Sequence, residues 1–214
     1  MKRFLKIIKW AAAILLSLIL ILVVSTYFYM KQPQFGALPD GKRLELIQKS
    51  KHFKEGKFHN LVEKPTISEG YSIWTEAWNS LTKTYPETEP TTTLPSIKTD
   101  LKSLPADSNV LVWFGHSSFF LQVDGVKILV DPIFSGKASP TPWGVKAYKG
   151  SDIYNVDDMP EIDYMLLSHD HYDHMDVDTL KRIWLRDEPM IVTSLGIDSV
   201  MRQKYKMLVT ALDW

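Results

Sequence analysis

Residues 10–30 are apolar almost without a break, with Ser17, Ser25 and Thr26 as the small polar exceptions. Wound as a helix, a run of that length is about 31 Å long, close to the hydrocarbon thickness of a bilayer. It has no polar stripe, so it does not read as a helix that packs one face on a soluble core. Lys2, Arg3, Lys6 and Lys9 precede it, and Trp10, Tyr27, Phe28 and Tyr29 stand at its ends, where interfacial aromatics belong. The pattern predicts a single transmembrane anchor over 10–30, with the basic residues 1–9 in the cytoplasm and everything after Lys31 on the far side. A cleaved signal peptide is the rival. Val23-Val24-Ser25 is a passable cleavage site, but the run is long and no A-x-A sequence closes it, which favours the uncleaved anchor.

Past the anchor the periodicity changes. Residues 31–105 read as an arm and connector, with a short helix over 43–48. Ile73, Trp74, Ala77, Trp78 and Leu81 recur at i, i+1, i+4, i+5 and i+8, a helical stripe. Its two tryptophans can rest on a membrane interface or on the domain surface. Packing is the commoner use of such a stripe and is the expectation. Pro86, Pro90, Pro95 and Pro105, among many threonines, make 84–105 an irregular connector.

Residues 106–214 carry a different rhythm. Short apolar runs at 110–114, 118–123 and 126–130 read as strands, the last two joined by Asp124-Gly125, a strong two-residue hairpin signal. A further strand candidate covers 162–167. Val177, Leu180, Ile183 and Trp184 then line one face of a helix, with Asp176 or Asp178 available to cap it. Strand candidates at 190–193 and 207–212 flank a helical stretch over 197–204. Strands first, then strands alternating with helices, predict an α/β domain.

Composition narrows the function. Lys and Arg number 25 and Asp and Glu 25, a balance that gives no bulk attraction to nucleic acid. There is no cysteine, so neither a disulfide framework nor lipoprotein attachment enters, and no internal repeat or phosphate-binding glycine loop is visible. The histidines are the exception to this ordinary composition. Three of the six fall in Ser168-His169-Asp170-His171-Tyr172-Asp173-His174.

That run, H-x-H-x-D-H, follows a buried-strand candidate directly and so lies on a loop at a strand's end, where a rigid scaffold presents ligands. Imidazole nitrogen and carboxylate oxygen suit borderline divalent metals such as Zn, Fe and Mn. Residues two apart in an extended stretch point the same way, so His169 and His171 can grip one ion. Asp173 and His174 fall past the bend and can address a second beside it. Asp131, at the end of the 126–130 run, can accept an imidazole N–H and fix its tautomer. Its plainer use is as a strand-to-turn residue before Pro132. His116 follows the 110–114 run and a glycine, which allows a place near the active-site rim; a lone histidine in a turn is more often structural than catalytic, and it is not counted among the metal ligands.

With Trp113-Phe114-Gly115-His116-Ser117-Ser118, Leu129-Val130-Asp131-Pro132-Ile133-Phe134-Ser135 and Ala138-Ser139-Pro140, this loop resembles the metallo-β-lactamase superfamily of hydrolases. The resemblance is to the branch containing N-acylphosphatidylethanolamine-hydrolysing phospholipase D. It runs from about Gln32 to the last residue and is dense in motif residues only over 110–176. It implies an αββα sandwich of which this sequence holds the N-terminal half, preceded by one transmembrane helix. It further implies a metal site of His169, His171, Asp173 and His174, with two Zn as the first choice and Fe or Mn as alternatives. Asp131 would support the ligands from behind. Asp173 would be both ligand and catalytic residue, orienting a metal-bound hydroxide, since metal lowers the pKa of bound water from about 15.7 to about 7. The implied reaction is attack on an ester or phosphodiester of a small-molecule or lipid substrate; a lactonase of the same fold is an alternative. The family's remaining ligands lie further downstream, and no histidine follows Met175 here. The second metal site is therefore expected to be incomplete, the chain to read as an incomplete domain, and half a sandwich to leave an apolar sheet face uncovered. A non-catalytic anchored module that binds metal partially is the reading from another class.

Overall fold

The computed structural model describes all residues except Met1, Pro33, Gln34, Ala37, Glu87, Pro140, 142–144 and Trp214, and except the side chains of Lys2 and Lys204. Pro140 of the Ala138-Ser139-Pro140 motif thus lies outside the described residues. The chain separates into two units, Met1–Ala37 and Leu38–Trp214.

The first unit is one helix, α1 (Lys2–Tyr29). Within Arg3–Tyr29 the most apolar 18-residue stretch has a mean hydropathy of 2.8, and none of that stretch is buried. Helix formation begins before the apolar run because Lys and Leu are good helix formers and nothing among residues 2–9 breaks the helix.

The second unit opens with α2 (Gly41–Gln48), a hairpin of two-residue strands β1 (Phe53–Lys54) and β2 (Lys57–Phe58), and α3 (Ile73–Thr82). The hairpin turns through Glu55 and Gly56, at φ 52° and 79°, and is closed by an edge-to-face contact of Phe53 with Phe58. α2 is fastened to the domain by Arg43 paired with Asp198 and by Ile47, which is fully enclosed. α3 corrects an expectation. The stripe does form a helix, but the helix has no buried residue, and its apolar face is left largely exposed. Among the described residues between Lys83 and Pro105 the path is irregular save for one 3-10 turn at Leu101–Ser103.

A six-stranded sheet follows: β3 (Val110–Gly115), β4 (Ser118–Val123), β5 (Val126–Val130), β6 (Tyr164–Leu167), β7 (Met190–Ser194) and β8 (Val209–Leu212). Their spatial order is their chain order. The β3–β4 and β4–β5 pairs are antiparallel, and β5–β6, β6–β7 and β7–β8 are parallel. Asp124 and Gly125, at φ 50° and 82°, make the tight β4–β5 turn. Left-handed backbone at both positions matches the right-handed twist of the paired strands. The parallel crossovers carry α4 (Val177–Asp187) and α5 (Asp198–Tyr205). Asp176 caps α4 by accepting from the Thr179 amide, which satisfies a donor the first helical turn leaves free.

One row of side chains crosses the whole sheet in register: Val112, Phe120, Leu129, Met165, Ile191 and Val209. It packs with Leu180 and Ile183 of α4 and Val200 and Met201 of α5 in a single core. The neighbouring row on the opposite face, Leu111, Leu121, Ile128, Tyr164 and Met190, is also apolar, yet Leu111 and Met190 are largely exposed. Residues 110–212 thus form a mixed α/β layer with helices on one sheet face and an open apolar face opposite.

The asymmetry has a measurable consequence. Leu129→Ala removes a fully enclosed side chain and should cost about 2–5 kcal/mol. Leu111→Ala, on the open face, should change stability by no more than about 0.5 kcal/mol. Urea unfolding of the detergent-solubilised chain, followed by circular dichroism, separates the two; equal losses would mean both faces are covered.

Candidate metal centre

The sheet topology brings the chemistry together. β3 is antiparallel to β4, which is antiparallel to β5, so β3 and β5 run the same way, and β6 runs with them. The carboxyl ends of β3, β5 and β6 therefore lie along one edge of the sheet. The residues that follow them are His116, Asp131 and the loop from Ser168 to His174. Ligand sites in α/β sheets favour this edge.

Asp131 is the pivot. Its N–H continues the β5–β6 ladder by donating to the Leu166 carbonyl at 3.0 Å. Its side chain is almost wholly enclosed. Oδ1 accepts from the Ser168 amide at 2.8 Å, and Oδ2 accepts from the Ser168 hydroxyl at 2.6 Å. Oδ2 also lies 2.8 Å from His174 Nδ1. An ionised carboxylate only accepts hydrogen bonds, so Nδ1 carries the proton and the lone pair of His174 sits on Nε2. Ser168 extends the logic by one residue. Its only hydroxyl proton goes to Asp131, so its oxygen accepts from His169 Nδ1, 3.0 Å away, which leaves His169 Nε2 as a free donor atom.

The loop itself is a compact turn. The amides of His174 and Met175 both donate to the His171 carbonyl, at 3.0 and 2.8 Å. The enclosed carboxylate of Asp176 anchors the loop's end; besides capping α4 it accepts from the amides of Phe134 and Ser135 at 3.1 and 2.8 Å. Three imidazole rings gather as a result. Ring centroids are 3.9 Å apart for His169 and His174, and 4.5 Å for His169 and His171.

His116, which the sequence allowed at the rim but did not count among the metal ligands, joins them. Its Nε2 lies 2.8 Å from Asp173 Oδ2, and its ring meets His174 edge-to-face. His174 Nε2 is 3.6 Å from the same Asp173 oxygen. His116, Asp173 and His174 each offer one ligand atom, all within 4.8 Å of one another. His116 takes up a left-handed backbone at φ 48°, as does Asp131 at φ 41°. Non-glycine residues seldom hold that conformation outside turns and functional sites. Among the described residues, His169 and His171 are not part of the three-donor convergence, although their rings adjoin it. Sequence reasoning missed the roles of His116 and Ser168. A usable signal for the first was Gly115-His116 at the end of a strand parallel to β5.

Two groups titrate away from their ordinary values. Burial lowers the His169 pKa, reinforced by the neighbouring His174 and His171 rings. Burial pushes the Asp173 carboxyl up. Hydrogen bonds from its own amide and from His116, with the charges of His174 and His116, outweigh this and hold it below the usual carboxylate range. Neutral imidazole beside ionised carboxylate is the protonation state a divalent cation needs. The donor types, their convergence and the tautomers set by Asp131 all fit such an ion.

Residues 110–210 match the Beta-lactamase superfamily domain. Over 109 residues, 48% of this chain and 30% of the relative, the chain is 35% identical to N-acyl-phosphatidylethanolamine-hydrolyzing phospholipase D 1 of Caenorhabditis elegans. Over 63 residues, 29% of this chain and 23% of the relative, it is 38% identical to a UPF0173 metal-dependent hydrolase of Pyrobaculum neutrophilum. Among solved structures, Igni18, a metallo hydrolase of Ignicoccus hospitalis, aligns at 26% identity and a TM-score of 0.35, covering 48% of this chain and 38% of that one. This chain spans less than half the length of these curated relatives. Over residues 110–210 the chain is therefore similar to the beta-lactamase superfamily domain.

Both pKa shifts act on stability with the same sign. Each group binds its proton less readily folded than unfolded, so acidification favours unfolding. The His169 contribution is intact above its ordinary value of 6.5 and is lost as pH falls through the lowered folded value. In chelator, the urea midpoint should drop between about pH 7.5 and about pH 5.5, and His169→Asn should flatten that slope; an unchanged slope contradicts a partly buried, neutral imidazole. Asp131→Asn should weaken divalent-metal binding about 10–100-fold, measured by competition with a chromophoric chelator. Undiminished affinity would show that Asp131 does not orient His174.

Proposed function

We propose that this chain is a membrane-anchored, metal-dependent hydrolase that cleaves an ester or phosphodiester, with phospholipase D-like lipid substrates favoured. The observation that carries the reading is the convergence of His116, Asp173 and His174 at the carboxyl edge of the sheet. In this proposal His116, Asp173 and His174 hold one divalent ion, Zn or alternatively Fe or Mn. His169 and His171 belong to a neighbouring position. A bound divalent cation supplies Lewis acidity towards a carbonyl or phosphoryl oxygen and makes water acidic near neutral pH. Asp173, held ionised, would be placed to accept a hydrogen bond from such a water and orient it. His116, whose Nε2 lies 2.8 Å from Asp173 Oδ2, keeps the two prospective ligands adjacent before an ion binds. Asp131, through His174 directly and through Ser168 to His169, keeps both imidazoles presenting Nε2.

The lipid preference draws on the C. elegans relative, whose name states hydrolysis of N-acyl-phosphatidylethanolamine. It also draws on the apolar span Arg3–Tyr29. The basic residues before that span favour a cytoplasmic amino terminus, with the hydrolase domain on the opposite side.

One observation favours a second reading. The side chains of His116 and Asp173 are 61% and 41% exposed, whereas hydrolytic sites gain from excluding water. A non-catalytic anchored module that binds one ion would show that openness.

Metal content and turnover separate the two. The detergent-solubilised chain should retain at least one divalent ion and hydrolyse members of a phosphodiester and ester panel, with activity lost in chelator and restored by metal. Asp173→Asn should lower kcat/KM by about 10²- to 10⁴-fold. Tightly held metal without turnover on any substrate would favour the non-catalytic module, and no retained metal would refute both.

A further inference from the structure

α3 is a second place where the chain carries an unexplained apolar surface. At about 100° per residue, Ile73, Trp74, Ala77, Trp78 and Leu81 occupy roughly 140° of its circumference. Thr75, Glu76, Asn79, Ser80 and Thr82 fill the remainder. Segregation this complete is what a covered helix needs, yet Trp74, Trp78 and Leu81 are 82%, 68% and 82% exposed. Tyr71 and Tyr85, just outside the helix, are exposed as well.

We propose that α3 lies flat on a lipid bilayer and inserts this stripe into the interfacial layer, a contact separate from α1. Three observations select lipid as the occupant. Two indoles and two flanking phenols are side chains with an apolar body and a polar N–H or O–H, the type that concentrates at membrane interfaces. At ten residues the helix is too short to span, but long enough to lie in the interface plane. The same chain carries the apolar span Arg3–Tyr29, so a bilayer surface lies within tether reach of α3 once that span is inserted. To this extent the inference rests on the anchored reading above.

Charge says which kind of contact this is. Residues 61–85 contain Lys64 and Lys83 against Glu63, Glu69 and Glu76, so anionic lipid offers no electrostatic gain. The docking is apolar, works on a zwitterionic surface and is indifferent to salt. Its effect is to hold the domain at the lipid surface, where a lipid substrate is presented.

The absence of native cysteine permits a direct test. Trp78→Cys, Leu81→Cys, Asn79→Cys and Leu20→Cys are made singly in the full chain, labelled with an environment-sensitive fluorophore and reconstituted into phosphatidylcholine vesicles. Labels at 78 and 81 should shift to the blue and be quenched by a nitroxide near the top of the acyl chain. The label at 79 should stay in water and be quenched by iodide. The pattern should persist in about 1 M salt, where the Debye length is only about 3 Å. Iodide quenching at 78 overturns the proposal. So does shielding of 78 from both quenchers, which would mean protein packing, and so does loss of the signal in salt. The label at 20 reports the anchor separately. If it stays aqueous the anchored reading falls, whereas a deep label at 20 with an aqueous label at 78 sinks this inference alone.

Discussion

The site depends on one buried carboxylate. Asp131 sits where β5 ends, and its oxygens are engaged by the Ser168 amide, the Ser168 hydroxyl and His174 Nδ1. An enclosed carboxylate without such donors costs several kcal/mol, so the loop from Ser168 to His174 cannot relax away from β5 without exposing that cost. The hydrogen bonds that stabilise Asp131 also decide which imidazole nitrogens carry lone pairs. Folding and ligand preparation are thus the same event in this part of the chain.

Everything else places that carboxylate. The enclosed row from Val112 to Val209 fixes strand register, and a slip of one residue would turn Asp131 and His116 to the wrong side. Two antiparallel pairings restore the direction of β3 to that of β5, which is why a histidine 57 residues from Asp173 in sequence ends 2.8 Å from it. Asp176 couples the same loop to α4 and to the Phe134–Ser135 backbone. The helices on one face supply the burial that keeps this arrangement rigid, while the opposite sheet face contributes little.

Legibility in the sequence followed the range of the interaction. The β4–β5 hairpin, the α4 cap and the histidine loop were readable because each depends on neighbours within a few residues: Asp124-Gly125 makes its own turn, and as a helix cap Asp176 needs only the Thr179 amide. For His116 only its place at a strand end was readable, since its partner is brought to it by sheet topology. Ser168 escaped notice because a serine's role depends on where its single proton goes, which only geometry shows. The β1–β2 hairpin has two-residue strands, too short for any alternation to register. For α3, periodicity reported amphipathicity correctly but could not say what covers the apolar face, and the inference that the protein core covers it failed on that point.

The most direct test of the account is the ring-nitrogen spectrum of His174. In the 15N-labelled, metal-free chain near neutral pH, long-range proton–nitrogen correlation should show Nδ1 protonated and Nε2 bearing the lone pair, with Nε2 alone shifting as Zn is added. A protonated Nε2, or a Zn-induced shift centred on Nδ1, would contradict the claim that Asp131 prepares this imidazole for a metal ion.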